Sequence, residues 1–261
     1  MSNPQPLAMV TGASSGIGAA FARRLAREGY RLILVARRAN LLEDLARELG
    51  GAETLAADLT VEEDLRRVVA RIDAAGDLEL LVNDAGFGLT GRFFETPVEG
   101  HARMHSLHVM ATMRLSHAAL RGMAARRKGA LIDVSSVASF SQNPGSASYC
   151  ATKAWMTSFT EGLHLDLLSA GSPVRVQALC PGFTYSEFHD VMGVDRARIP
   201  KFMWCTAEDV VEASLKGLAK GKVVVIPGLF YRALVPLLRW IPRSVYYRLA
   251  VLYGRRTKNG V

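Results

Sequence analysis

The chain has 261 residues, 49% of them hydrophobic, and 32 Lys and Arg against 24 Asp and Glu give it a net charge of +8. That length buries a substantial core in one or two domains, and the spacings of its three cysteines, Cys150, Cys180 and Cys205, exclude a disulfide framework or a metal site and point to reduced thiols in the cytoplasm. Residues 1–227 carry 25 basic and all 24 acidic side chains, whereas 228–261 carry seven basic and none acidic, which argues against a nucleic-acid-binding face on the larger part.

Taken in order, an apolar strand is expected over 7–11 and a helix over 17–28, with Gly29 as its C-cap. Residues 31–36, Arg-Leu-Ile-Leu-Val-Ala, read as a buried parallel strand. Leu41, Leu42, Leu45 and Leu49 recur at helical spacing over 39–49. A strand over 52–57 precedes a helix over 61–74, for which Thr60 and Glu63 spell a capping box. A strand at 78–83, a long helix from Pro97 to about Arg126, a strand at 130–135 and a second long helix at 147–169 follow. A strand at 174–179, a helix at 207–220 and a short strand at 223–226 complete the alternation. The pattern predicts an α/β fold, a doubly wound parallel β-sheet of the Rossmann type with right-handed crossovers. No linker interrupts 1–227, which reads as one domain; 228–261 reads as a helical extension. No signal peptide is expected, and no apolar run is long enough to span a bilayer.

Three features carry chemistry. Tyr149 and Lys153 are one helical turn apart, so they share a helix face. A lysine cation there is expected to pull the phenol pKa down from its ordinary value of about 10. Ser136, thirteen residues before Tyr149, is placed to hold a carbonyl oxygen that the phenol protonates, with Ser135 left at the strand end. The segment Thr11-Gly12-Ala13-Ser14-Ser15-Gly16-Ile17-Gly18 lies between a strand and a helix, where a dinucleotide pyrophosphate is held. Hydride transfer between a nicotinamide and a carbonyl or alcohol needs all three. The strand at 31–36 ends in Ala36, Arg37 and Arg38 with no acid to meet a ribose 2′-hydroxyl, so NADP is expected over NAD; the alternative for the two arginines is the start of a solvated helix.

These residues, with Asp58, Asn83-Asp84-Ala85-Gly86 and Pro181-Gly182, closely resemble the short-chain dehydrogenase/reductase family over nearly the whole chain, from Leu7 to about Pro227. The resemblance implies a single Rossmann-type domain and a Ser-Tyr-Lys site. In it Ser136 positions the substrate oxygen, Tyr149 transfers the proton, and Lys153 lowers the phenol pKa and holds the nicotinamide ribose. It implies dinucleotide contacts from Gly12, Ser14, Ser15, Gly16, Ile17 and Gly18, with Ser14 and Arg37 on the 2′-phosphate and Arg38 beside them. Asp58 would bond the adenine edge, backed by Leu59, unless it only serves a helix N-terminus. Asn83, Ala85 and Gly86 would face the cofactor ribose, and Pro181 and Gly182 would close over the nicotinamide, with Thr184 or Ser186 on its carboxamide. The family's usual Asn in the long helix before residue 130 is replaced here by His108, which either relays protons or packs between helix and sheet.

Phe87, Phe140, Gln142, Phe183, Tyr185, Phe188, His189, Met192, Phe202, Met203 and Trp204 are candidate walls for a lipophilic carbonyl or alcohol substrate, the long 185–205 connection acting as a lid. A 3-oxoacyl-thioester reductase is the alternative within the class. A non-catalytic NADP-binding sensor and a membrane-surface adaptor are the alternatives outside it. No metal ligand set is present in the sequence, and a homo-oligomer is expected. The basic, apolar stretch 228–253 is broken by Pro236 and Pro242 into short helical pieces that either pack on this domain or another subunit, or make peripheral membrane contact.

Overall fold

The computed structural model describes residues 5–188, 196 and 199–258, apart from the side chains of 239 and 253–258. Strands β1 (Leu7–Thr11), β2 (Arg31–Ala36), β3 (Glu53–Ala56), β4 (Leu78–Asn83), β5 (Ala130–Val134), β6 (Arg175–Leu179) and β7 (Val224–Val225) form one parallel sheet. The strand order is β3-β2-β1-β4-β5-β6-β7. The order reverses between β1 and β4, so the chain leaves these two strands in opposite directions and opens a crevice beyond their carboxyl ends.

Strand side chains alternate between two apolar layers, as the period of two requires. Ala8, Val10, Leu32, Leu34 and Val82 face α1 (Gly16–Arg27), α2 (Ala39–Glu48) and α7 (Ala207–Ala219). Met9, Ile33, Val35, Leu81 and Leu131 face α3 (Glu62–Ala74), α5 (Thr112–Arg126) and α6 (Ala147–Ser169). Both faces are covered, which is why these strands read as unbroken apolar runs in the sequence. Each such Leu, Ile or Val stabilises the fold by about 1.5–3 kcal/mol.

Three local expectations are corrected. Helix α3 starts at Glu62 with Val61 as N-cap, and no side chain caps it. The Thr60 hydroxyl instead donates to Asp58 Oδ1 at 2.7 Å, and the Thr60 N–H donates to the same oxygen at 3.0 Å, closing an Asx-type turn that competes with the capping box. Glu62, Glu63 and Asp64 in the first turn offset the missing cap through the helix dipole. The long helix is not uniform: α4 (Val98–His105) passes into a wider π segment, Ser106–Ala111, before α5. In the tail, α8 (Leu229–Trp240) runs through Pro236, and the break falls only at Pro242, before α9 (Arg243–Lys258).

Helix α8 survives its proline because its inner face is anchored. Tyr231 and Val235, one turn apart, are both buried. The Tyr231 hydroxyl donates to the Met203 carbonyl at 2.9 Å and accepts from the Phe183 N–H at 3.2 Å. A Cβ on Gly182 would lie 2.0 Å from the Tyr231 ring, so glycine is required there. Tyr246 on α9 adds a second anchor, donating to the Gln142 carbonyl and accepting from its N–H. Tyr231→Phe should therefore destabilise the fold by about 1–3 kcal/mol, the cost of leaving buried polar partners unpaired. Urea unfolding of the two proteins measures it, and a difference under a few tenths of a kcal/mol would mean that the hydroxyl anchors nothing.

Candidate active site

The crevice holds a cavity of about 550 Å³. Its cofactor-sized half begins where β1 ends. Gly12 and Gly16 have positive φ (71° and 56°), which the tight turn demands. A Cβ on Gly12 would sit 2.9 Å from the Ala85 nitrogen, and one on Gly18 would sit 2.4 Å from the Gly12 oxygen. Only glycines let the turn press against the exit of β4. Thr11 locks that contact, its Oγ1 accepting from the N–H groups of Asp84 and Ala85 at 3.1 Å each. Helix α1 then opens with Ser15 as N-cap, no side-chain cap and no acid in the first turn. Its unpaired N–H groups and positive dipole end suit an anionic pyrophosphate.

Of the residues expected at the cofactor, Gly12, Ser14, Ser15, Gly16, Ile17, Arg37, Arg38, Asp58, Leu59, Ala85, Gly86, Pro181, Gly182 and Thr184 all line the cavity. Gly18 and Asn83 do not line it. Arg38, rather than Arg37, meets Ser14: its guanidinium donates to Ser14 Oγ at 3.1 and 3.3 Å and to Glu187 at 2.9 Å. Arg37 makes no ion pair among the described residues. Burial works against ionisation of Asp58, but hydrogen bonds from the Thr60 hydroxyl and N–H, helped by Arg37 and Arg103, hold its carboxyl below the usual range. Thr184 Oγ1 donates to the Gly182 carbonyl and Ser186 Oγ to the Thr184 carbonyl, and both residues line the cavity.

Ser136, Tyr149 and Lys153 come together at the inner end. Ser136 follows β5, its Oγ accepting from the Ala138 N–H at 3.1 Å and donating to the Pro181 carbonyl at 3.4 Å. Ser135 faces away, donating to the Lys153 carbonyl at 2.8 Å. Burial pushes the Tyr149 phenol up to about 12, and the Ser136 hydroxyl only moderates this. The expected pull from Lys153 is not what the geometry provides. Lys153 Nζ donates to the Val134 carbonyl at 2.8 Å and stands 5.9 Å from the Tyr149 ring centre. Burial lowers the lysine itself to about 8, against the charges of Asp84 and Asp133.

Under the site lies a layer of buried polar groups. The Asp84 carboxyl, which lies against Gly18, is pushed up to about 8 by burial despite Lys153. Asp133 is raised to about 6 by burial, although it accepts from Asn83 Nδ2 at 2.8 Å and from the Thr160 hydroxyl at 2.9 Å. Asn83 thus turns its amide into the sheet, also donating to Ser116 at 3.1 Å. Its Oδ1 is buried without a partner.

His108 sits in the π segment, fully buried. Its Nε2 accepts from the Phe87 N–H at 3.2 Å, so the proton is on Nδ1, which donates to Thr152 Oγ1 at 2.9 Å. Thr152 in turn donates to the Tyr149 carbonyl at 3.0 Å. A Cβ on Gly86 would lie 2.9 Å from Nε2, which explains that glycine. Burial, with Lys153 and His105 nearby, holds the imidazole well below its usual 6.5. Both nitrogens are thus engaged in hydrogen bonds and the ring is neutral near pH 7.

Among the expected walls, Phe87, Phe183 and Phe188 line the cavity. Phe140, Gln142, Tyr185, Phe202, Met203 and Trp204 do not. Tyr185 stacks on Trp204 at 4.8 Å, and Phe202 packs edge-on to Phe230 at 5.3 Å, so these aromatics pack on one another. His189 and Met192 fall outside the described residues. Leu107, Asn143, Glu187 and Tyr231 line the cavity without having been anticipated. Tyr231 was legible only as half of an i, i+4 buried stripe on a tail helix. No group of three or more metal-binding side chains occurs among the described residues.

The family profile described as short chain dehydrogenase matches residues 6–196. An oxidoreductase of Myxococcus xanthus, described as uncharacterized, is 35% identical over 84% of this chain and 85% of its own length. A short-chain dehydrogenase from Sphingobium yanoikuyae, solved in complex with NADPH, superposes with a TM-score of 0.81 at 34% identity, covering 92% of this chain and 97% of that one. A bulky-bulky ketone specific alcohol dehydrogenase from Comamonas testosteroni superposes with a TM-score of 0.78 at 30% identity, covering 93% and 97%.

The neutral imidazole has a measurable consequence. Because the folded-state pKa of His108 lies well below 6.5, the unfolded chain takes up a proton that the folded chain refuses once the pH falls below 6.5. Wild type should therefore lose stability relative to His108→Leu in that range, by up to about 1.4 kcal/mol per pH unit. Above that range the gap between the two proteins should be constant and set by the lost hydrogen bonds. Urea melts from neutral to mildly acidic pH check it; a gap that ignores pH throughout would contradict a neutral buried ring.

Proposed function

The chain belongs to the short-chain dehydrogenase family and is an oxidoreductase acting on alcohol or carbonyl groups, and from that premise we propose that it reduces a lipophilic ketone with NADPH in the cavity described above. The observation that carries this reading is that Ser136, Tyr149 and Lys153 line the same cavity as the glycine-rich turn.

When bound, the dinucleotide supplies the hydride. The chain's residues do the rest. The α1 N-terminus and the N–H groups of 14–17 bind the pyrophosphate. Ser136 orients the substrate oxygen. Tyr149, raised to about 12, is a neutral phenol at physiological pH and so is ready to donate its proton to that oxygen, which favours the reducing direction. Lys153, still largely protonated near pH 7, keeps positive potential beside the site. His108 fixes the Tyr149 turn of α6 against the exit of β4 as a positioning residue.

The preference for NADPH rests on charge. Ala36 ends β2 where an acid would repel a 2′-phosphate, and Arg37 and Arg38 with Ser14 line the wall there. The Sphingobium yanoikuyae relative carries NADPH. The lipophilic substrate rests on the wall of Phe87, Leu107, Phe183, Phe188 and Tyr231, and the Comamonas testosteroni neighbour acts on bulky-bulky ketones. A panel of bulky ketones, 3-oxoacyl thioesters and small hydroxy acids such as serine, followed by NADPH absorbance or formation, tests the substrate class. Turnover of the hydroxy acids alone would overturn it.

Tyr149→Phe should abolish turnover and leave NADPH binding nearly unchanged, because it removes a proton donor and little contact area. Steady-state rates and fluorescence titration of NADPH separate the two effects; substantial turnover in the variant would displace Tyr149 from the mechanism. Arg37→Ala and Arg38→Ala should each weaken NADPH far more than NADH. A charge-assisted contact contributes roughly 1.5–3 kcal/mol, so the ratio of the two dissociation constants should fall by about one to two decades. Equal weakening of both cofactors would make the arginines structural.

A further inference from the structure

The tail buries one face of α8 and leaves the opposite face apolar and bare. Leu229, Ala233, Pro236, Leu237 and Trp240 follow helical spacing on that outer face, and all are exposed. Leu229 is 79%, Leu237 62% and Trp240 85% accessible. Beyond Pro242, Val245, Leu249 and Leu252 repeat the pattern along α9 and are also exposed. Phe202, packed on Phe230 of α8, exposes its ring beside them.

Large apolar groups in such continuity mark a surface made to be covered. The charge distribution says by what. All seven charged residues of 228–261 are basic, while the remaining chain is nearly balanced at 25 against 24. Arg232, Arg243 and Arg248 are exposed on these same helices. A second copy docking through this face would bring like charges against like in an isologous contact. No helix of the described residues is long and apolar enough to cross a membrane. An apolar stripe with Trp at its edge, flanked only by cations, is instead complementary to a bilayer surface bearing anionic headgroups.

We propose that α8 and α9 seat the protein on the surface of an anionic lipid bilayer. Trp240, Leu237, Leu229 and Phe202 enter the boundary between headgroups and acyl chains, and the arginines meet lipid phosphates. The inner face, with Tyr231 and Tyr246, stays on the domain, so docking needs no unfolding of the tail. The proposal is independent of which substrate the cavity takes.

Co-sedimentation of the full chain with vesicles of phosphatidylcholine, with and without phosphatidylglycerol, tests it. Binding is expected only to the anionic vesicles and should weaken as salt rises, since exposed charges are screened over about 10 Å at 0.1 M salt. Each of Arg232→Gln, Arg243→Gln and Arg248→Gln should lower partitioning about five-fold, the equivalent of roughly 1 kcal/mol per basic residue near such a surface. Leu237→Ser with Trp240→Ser should lower it at least ten-fold while NADPH binding and circular dichroism stay as in wild type. No binding to anionic vesicles, or equal binding by wild type and all variants, would overturn the proposal. So would a wild-type dimer that the Leu237→Ser and Trp240→Ser pair converts to monomer without any vesicle binding, which would assign the face to a second copy.

Discussion

The site depends on one close approach: the glycine-rich turn after β1 lies directly on the exit of β4. No Cβ fits at Gly12 or Gly18, and Thr11 holds the contact with one hydroxyl that serves two N–H groups. From that contact two chains of interaction reach the reacting residues. One runs from Gly18, against which the Asp84 carboxyl lies, on to the charge of Lys153. The other runs from Gly86 and Phe87 through His108 and Thr152 to the Tyr149 carbonyl. The cofactor cradle and the proton donor are therefore parts of one packed unit, although 130 residues separate them in sequence.

Burial decides the protonation states in this unit. Asp84, Asp133, Tyr149 and Lys153 are each driven toward their neutral forms by loss of water, and the opposing charges among them only moderate the effect. Lys153 retains its charge near neutrality because two carboxyls and the Val134 carbonyl face it. Among the described residues no cation offsets the burial of the phenol, so it stays protonated. A donor that is neutral near pH 7 fits the proposed reduction.

His108 shows how a departure from the family pattern is absorbed by packing. The π segment at 106–111 carries it into the space between β4 and α6, where an Nδ1–H imidazole spans from a backbone N–H to a hydroxyl. Asparagine, with a shorter side chain, would span less of that distance. The imidazole fills the space and keeps the turn holding Tyr149 in register with the turn holding Phe87.

Much of this was legible in the sequence because it follows from local rules. The strand and helix periodicities placed the sheet elements to within two residues, since buried parallel strands and amphipathic helices have distinct patterns. The glycine-rich turn, the Tyr149–Lys153 pair and the charge asymmetry of the tail are likewise local. Contacts between distant segments decided the rest. That Arg38 rather than Arg37 meets Ser14, that Thr60 turns to Asp58 instead of capping α3, and that α8 survives Pro236 all depend on which partner tertiary packing brings nearest. The same holds for Tyr231, which reaches the cavity from the tail. It holds too for the protonation of Tyr149 and His108: residue identity supplies the titratable group, but only the folded chain determines how much water and which charges surround it.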